Sequence, residues 1–168
     1  MTEEQVVIVN ENDEVIGSAP RSVMRKENLL HRSSPIFVFN SENGILVHQR
    51  SHSKDLYPGY FDFLARGVID DGETAEQNAR REANEEVGIT QETPLKFLFK
   101  TRCTTKQNNA FLYVFECIYD GQIKPQEEEV IQGKFVSMKE LQKLMSKEKF
   151  VPDSRNILEK YRAIYKKL

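Results

Sequence analysis

The sequence is poor in the features that mark several large protein classes. No stretch approaches 18 consecutive apolar residues, so no membrane-spanning helix is expected. Cysteine occurs twice in 168 residues, at Cys103 and Cys117, too few for a disulfide framework. Both sit in strand-like runs, and a hairpin turning at Gln107-Asn108-Asn109 would not place them opposite one another. Two buried thiols in a reducing cytosol is the expectation. Neither sign of charge dominates: 24 basic residues stand against 26 acidic ones, for a formal charge of −2. No global positive field points to nucleic acid, although a local basic pocket for a phosphate stays compatible with that balance. The start, Met-Thr-Glu-Glu-Gln, lacks the basic and apolar character of a secretory signal, so a cytoplasmic location is expected. Repeats and low-complexity linkers are also lacking.

What remains is an ordinary globular composition, with 39% hydrophobic and 30% charged residues, in a chain of one-domain length. Gln5–Asn10 reads as a strand, Val15-Ile16-Gly17 as its short return, and Ser22–Leu30 as a polar helix. Pro35–Asn40 and Gly44–Gln49 are apolar runs split by Ser41-Glu42-Asn43-Gly44, a hairpin pattern. Tyr60–Ala65 and Gly67–Ile69 look extended. Phe97–Thr105, Ala110–Tyr119 and Gly133–Ser137 read as further strands, and Met138–Met145 and Asp153–Lys167 as helices. The clearest helix is Thr74–Val87. Thr74 and Gln77 form a capping-box pair at its start, and Gly88 lies just past its end. Interspersed strands and helices predict an α+β fold, a mixed β-sheet sandwiched between α-helices.

The chemistry concentrates on that helix. At 100° per residue, Glu82, Glu85 and Glu86 share one face, with Arg80 and Arg81 expected to point elsewhere. Three neighbouring carboxylates repel one another, and a divalent cation with a preference for oxygen would resolve the conflict. A solvated acidic face is the alternative. The preceding loop, Gly67-Val68-Ile69-Asp70-Asp71-Gly72-Glu73, offers two glycines for tight turns and places an acid where a helix start favours one.

The full pattern, Gly67-x5-Glu73-x7-Arg81-Glu82-Ala83-x-Glu85-Glu86-x-Gly88-Ile89, resembles a complete Nudix box over 23 residues. The resemblance implies a loop–helix–loop that binds magnesium, with manganese as a substitute, together with a diphosphate. It implies Glu82, Glu85 and Glu86 as metal ligands, the Gly67 carbonyl as a further ligand, and Glu73–Arg81 as a structural ion pair. It also implies a single Nudix domain over residues 1–168, with 1–30 as an N-terminal extension of strands and a helix packed on it. Metal ions neutralise a diphosphate and lower the pKa of water, and a further carboxylate can take its proton; the resemblance implies that a loop outside the box supplies it. The candidate stretch is Glu127-Glu128-Glu129, with Glu129 as first choice for the base, Glu128 as second, and an exposed acidic loop as the plain alternative.

Outside the box, Asp13–Gly17, Leu30-His31-Arg32, Val47–Arg50, Lys54-Asp55 and Pro58-Gly59 resemble the pattern shared by isopentenyl-diphosphate isomerases and hydrolase-like relatives. In the isomerases a cysteine precedes the position of Gly67 and a metal-binding histidine follows it; here Arg66 and Val68 stand there. Arginine is no ready proton donor at neutral pH and valine binds no metal. The expected function is therefore hydrolysis of a diphosphate linkage in a nucleoside diphosphate-type substrate, with isomerase activity and a non-catalytic nucleotide-binding module as alternatives. Arg50 and Lys54 are candidate phosphate ligands, or else solvated loop residues. His48 and His52 lack zinc-like partners. The expected partner is a small diphosphate compound, with neither nucleic acid nor membrane, and a homodimer is possible through an edge supplied by Gln5–Asn10.

Overall fold

The computed structural model describes residues 3–166. Among these residues ten strands and four helices follow one another as β1 (Gln5–Val9), β2 (Val15–Pro20), α1 (Arg21–Glu27), β3 (His31–Ser33), β4 (Ile36–Phe39), β5 (Ile45–Arg50), β6 (Phe61–Asp62), β7 (Leu64–Ala65), α2 (Ala75–Val87), β8 (Lys96–Thr104), β9 (Asn109–Ile118), β10 (Val130–Val136), α3 (Met138–Lys147) and α4 (Pro152–Tyr165). None of the described helices is long and apolar enough to cross a membrane.

The strands form one mixed sheet in the order β10-β5-β4-β9-β3-β1-β2, with β6 on β5, β7 on β4 and β8 on β9. β9 runs parallel to both β3 and β4, and the remaining pairs are antiparallel. Successive strand residues face opposite sides of a sheet, and here both sides are covered. Ile36, Val38 and Leu46 pack with Ala79, Ala83 and Val87 of α2. Phe37, Ile45 and Val47 pack on the other side with Leu141 of α3 and Ile157, Leu158 and Tyr161 of α4. Burying each large side chain of this kind stabilises the fold by roughly 1.5–3 kcal/mol relative to exposure. The small Ala79 and Ala83 let α2 lie close against its face of the sheet.

Several expectations shift in detail. The extended Tyr60–Ala65 is two short strands, each added to a different neighbour. Gly67–Ile69 forms no strand; Val68 and Asp70 make isolated bridges to Ser33 and Val6. β3, unmarked in the sequence because it is only three residues long, links β9 to β1. The end of the last predicted helix, Lys167, lies outside the described residues. The strand Gln5–Val9 is not an edge: β2 covers one side and β3 the other, which leaves β2 as the open strand. The two thiols are free, and Cys103 faces Ala110 across the β8–β9 ladder, not Cys117.

Candidate active site

The loop 66–74 and α2 build one wall of the site. Both halves of the predicted capping box form, Thr74 Oγ1 accepting from the Gln77 amide at 3.2 Å and Gln77 Oε1 accepting from the Thr74 amide at 2.9 Å. Gly88 ends the helix in the left-handed conformation. Ahead of the cap, Arg81 ties loop to helix. Its Nε and Nη2 donate to the two carboxylate oxygens of Glu73 at 2.9 and 3.0 Å, a bidentate pair of the expected kind. Arg81 also approaches Asp70 at 3.3 Å. The Asp70 carboxyl is pushed up to about 7, first by burial and then by a hydrogen bond with Glu4.

The three glutamates of α2 differ in their surroundings. Glu86 is 1% exposed and Glu82 7%, whereas Glu85 is half-buried at the rim. Contrary to the helical-wheel expectation, Arg81 does not point away from them. Its Nη1 reaches Glu82 at 3.0 Å and Glu85 at 3.1 Å, because a long side chain crosses a helical turn. Burial, followed by the neighbouring Glu86, pushes the Glu82 carboxyl up to about 8. Glu86 accepts from the Arg66 backbone amide at 2.9 Å and lies 3.4 Å from the Lys54 ammonium.

Lys54 is the hinge of the site. Its ammonium binds Glu86 and also the carboxylate of Glu129, so residues from three separate segments meet there. Glu129 is fixed from behind: the Ser51 amide donates to its carbonyl at 3.0 Å, and Ser53 Oγ donates to the Glu128 carbonyl at 3.0 Å. Glu127 and Glu128 are exposed and Glu129 is half-buried. Of the three, Glu129 is the acid whose side chain meets the ammonium that also binds Glu86.

Gly67 lies against Glu82. A Cβ built there would fall 1.9 Å from the Glu82 carboxylate carbon. The Gly67 carbonyl accepts from Ser33 Oγ at 2.7 Å and from the Ser34 amide at 3.2 Å, so a cation reaches it only by displacing the serine hydroxyl. Among the described residues no three acidic, histidine or cysteine side chains are gathered as a finished metal site. Lys54 and Arg81 are inserted between the carboxylates instead. The donor set still suits a hard divalent cation: two buried carboxylates one turn apart, a third at the rim, and a glycine that leaves them room.

A cleft of about 610 Å³ runs past Gly67, Arg81, Glu82, Glu85, Glu128 and Glu129. Behind it lies a smaller cavity lined by Arg50, Lys54, Tyr57 and Arg66, and by Arg21 and Arg25 from α1. The structure thus brings Lys54 to the α2 carboxylates, while Arg50 lines only the cavity behind them. Arg66 lies 2.8 Å from the fully buried Asp62 and donates to Ser154. Arg21, Arg25, Asp62 and Arg66 were not singled out from sequence as binding groups. The four-residue spacing of Arg21 and Arg25, which puts both on one helix face, was the available signal. His48 is fully buried opposite Asp62, and burial lowers its pKa.

Comparison with known proteins agrees with this geometry. A family model described as the NUDIX domain matches residues 29–161. The chain is 36% identical over 170 residues to an uncharacterised Nudix hydrolase, orf19, of Rhodococcus erythropolis, covering 95% of this chain and 92% of that protein. It is 36% identical over 157 residues to the uncharacterised Nudix hydrolase YfcD of Escherichia coli, covering 92% and 84%. The crystal structure of DR0079 from Deinococcus radiodurans superposes with a TM-score of 0.81 at 26% identity, over 94% of this chain and 98% of that one.

Proposed function

The chain belongs to the Nudix family of hydrolases, and from that premise we propose that it is a magnesium-dependent enzyme that cleaves the diphosphate linkage of a nucleoside diphosphate-type substrate. The observation that carries the reading is the meeting of Glu86, Lys54 and Glu129 beside Gly67 and Glu82. In this reading residues 1–168 are one Nudix domain with residues 1–30 as its extension, and the enzyme works in the cytoplasm, where its two thiols stay reduced.

Glu82, Glu85 and Glu86 would hold the metal, with manganese as a substitute. When bound, the ion supplies charge neutralisation and a more acidic water. The chain's own groups do the rest. Arg50 and Lys54 hold the phosphates, the Lys54 ammonium standing between Glu86 and Glu129. Glu129 accepts the proton of the attacking water. The water oxygen bonds to phosphorus, the bridging P–O bond breaks, and its electron pair leaves with the departing phosphate. The Glu73–Arg81 pair keeps the loop in register with α2.

The chain's wider pattern supports the hydrolase-like branch beside the isopentenyl-diphosphate isomerases. Arg66, tied to Asp62 and Ser154, stands where the isomerases carry their cysteine, and Val68 packs with Val6, Ile8 and Met24. Neither group moves a proton to or from carbon. The test is phosphate or monophosphate release with magnesium across a panel of diphosphates. Glu86→Gln should lower kcat about a hundred-fold or more, in line with the cost of removing one preorganised electrostatic group from a reacting centre. Wild-type kcat in both Glu85→Gln and Glu86→Gln would remove the proposed site.

A further inference from the structure

One buried side chain behind the α2 carboxylates has no task in the hydrolytic steps. His48 is 1% exposed, and among the described residues neither of its ring nitrogens has a hydrogen-bond partner. It follows Leu46 by two residues on β5, so it shares the face on which Leu46 packs with α2. Asp62 lies across from it on β6, and Gly133 across from it on β10. A Cβ built at Gly133 would touch His48 Cβ at 3.4 Å and Leu46 Cδ1 at 3.7 Å, which agrees with that placement. A core position needs no imidazole. Leucine would fill the place without two polar atoms to satisfy, and departures of this kind gather where a site requires them.

The neighbours narrow the task. The charged groups facing the ring are the carboxylates of Glu86 and Asp62 and the guanidiniums of Arg50 and Arg66. Arginine offers no acceptor. Asp62 is fully engaged. Its Oδ1 accepts from Ser154 Oγ at 2.6 Å and from the Leu64 amide at 3.1 Å, and its Oδ2 lies 2.8 Å from Arg66 Nη2. Glu86 has capacity left. One of its oxygens accepts from the Arg66 amide at 2.9 Å, and the other meets Lys54 only at 3.4 Å. Arg66 joins the two acids, its amide on Glu86 and its guanidinium on Asp62, and its Nε is a second buried donor without a partner among the described residues. Unpaired donors from two segments thus gather behind one carboxylate, the setting in which an enclosed water finds the two to four partners it needs.

We propose that His48 is a positioning residue that braces the Glu86 carboxylate from behind, its ring N–H donating to one ordered water that Arg66 Nε also holds and that donates in turn to Glu86. The brace limits the orientations open to Glu86 and so prepares the carboxylate for a cation. Groups that orient a metal ligand in this way typically contribute about ten- to a hundred-fold in metal affinity. The inference rests on the reading of Glu86 as a metal ligand, and it is measured without substrate.

The experiment has two arms. In the first, manganese is titrated calorimetrically into the full chain for wild type, His48→Leu and His48→Gln, with a melt of each to verify folding. His48→Leu should bind manganese about ten-fold more weakly or worse, and His48→Gln, which keeps a donor, should recover most of the loss. Equal affinity in wild type and folded His48→Leu overturns the brace and leaves the hydrolase reading standing. An affinity in His48→Gln no better than in His48→Leu assigns the loss to packing and also overturns it. The second arm needs no variant to fold at full stability. The chain has three histidines, His31, His48 and His52, so their ring-nitrogen resonances are few enough to assign in wild type. Added magnesium should shift those of His48 through the water and Glu86, and unmoved resonances overturn the brace. No metal binding by wild type overturns both readings. His48-dependent binding in a protein that hydrolyses no diphosphate supports the brace and refutes the proposed hydrolysis.

Discussion

Replacing Gly67 by alanine should separate catalysis from folding. The new Cβ would fall 1.9 Å from Glu82 Cδ and Oε1, and 2.4 Å from its Cγ. Carbon atoms rest about 3.5–4.0 Å apart, so the carboxylate must retreat by roughly 1.5–2 Å. The clash is with the far end of a flexible side chain, and the backbone at Gly67 is not in the left-handed region. Overpacking of this kind costs about 1–3 kcal/mol, which leaves a folded protein. Catalysis is less tolerant, because a misplacement of about 1 Å costs on the order of a hundred-fold. The expected result is a Gly67→Ala variant with a cooperative urea transition and a kcat reduced about a hundred-fold or more. With no tryptophan in the chain, unfolding is followed by far-ultraviolet circular dichroism, and turnover by magnesium-dependent phosphate release. Gly72→Ala is the counterpart. Its φ is +85° and nothing lies within 4 Å of the new Cβ, so it should cost about 1 kcal/mol of stability with kcat/KM unchanged. A folded Gly67→Ala enzyme with wild-type kcat would refute the placement of Glu82 in the reaction.

Two further expectations concern stability. Burial, reinforced by Arg25 and Arg21, lowers the His31 pKa to about 4 while its Nδ1 hydrogen-bonds to the Leu29 carbonyl at 2.9 Å. The folded state therefore prefers neutral histidine. This contribution is fully present above the unfolded value of about 6.5 and is lost as pH falls through 6.5 towards 4, on the order of 2–3 kcal/mol between pH 7.5 and 4.5. Urea unfolding at those two pH values should show a smaller loss in His31→Gln than in wild type, and equal losses would refute a neutral buried histidine. Thr74→Ala removes half of the capping box on α2 and should cost about 1 kcal/mol, a fall of about 2–4 °C in Tm. A Tm equal to wild type would mean that the box adds nothing to the helix.

What the sequence revealed was local. The cap at Thr74, the stop at Gly88 and the Glu73–Arg81 pair depend on residues within one or two helical turns, or within a loop and the helix that follows it. Their spacing alone brings them together, and the structure forms each of them. The β4–β5 hairpin belongs to the same class, since a short polar turn joins two apolar runs. The misreadings fall where long-range pairing decides. Gln5–Val9 looked like a free edge because the strands that flank it, β2 and β3, carry little sign of their pairing: β2 is mostly exposed, and β3 is three residues long. The helical wheel sent Arg81 away from the glutamates because it plots Cα positions and not the reach of a guanidinium.

The same distinction explains why the sequence ranks Glu129 ahead of Glu128 in the acidic run 127–129 without a physical reason for the order. Three consecutive glutamates are equivalent as letters. Ser51 and Ser53, far away in the chain, capture the backbone of 128 and 129 and so choose which side chain turns inward. Lys54, in the same loop, supplies the charge that Glu129 turns towards, and it reaches Glu86 as well. One loop thus positions the proposed base Glu129, supplies the bridging Lys54 and, through Asp55, holds the arginines of α1. In the proposed mechanism the box on α2 supplies the reacting carboxylates, and the segment from Arg50 to Gly59 supplies the cations that face them.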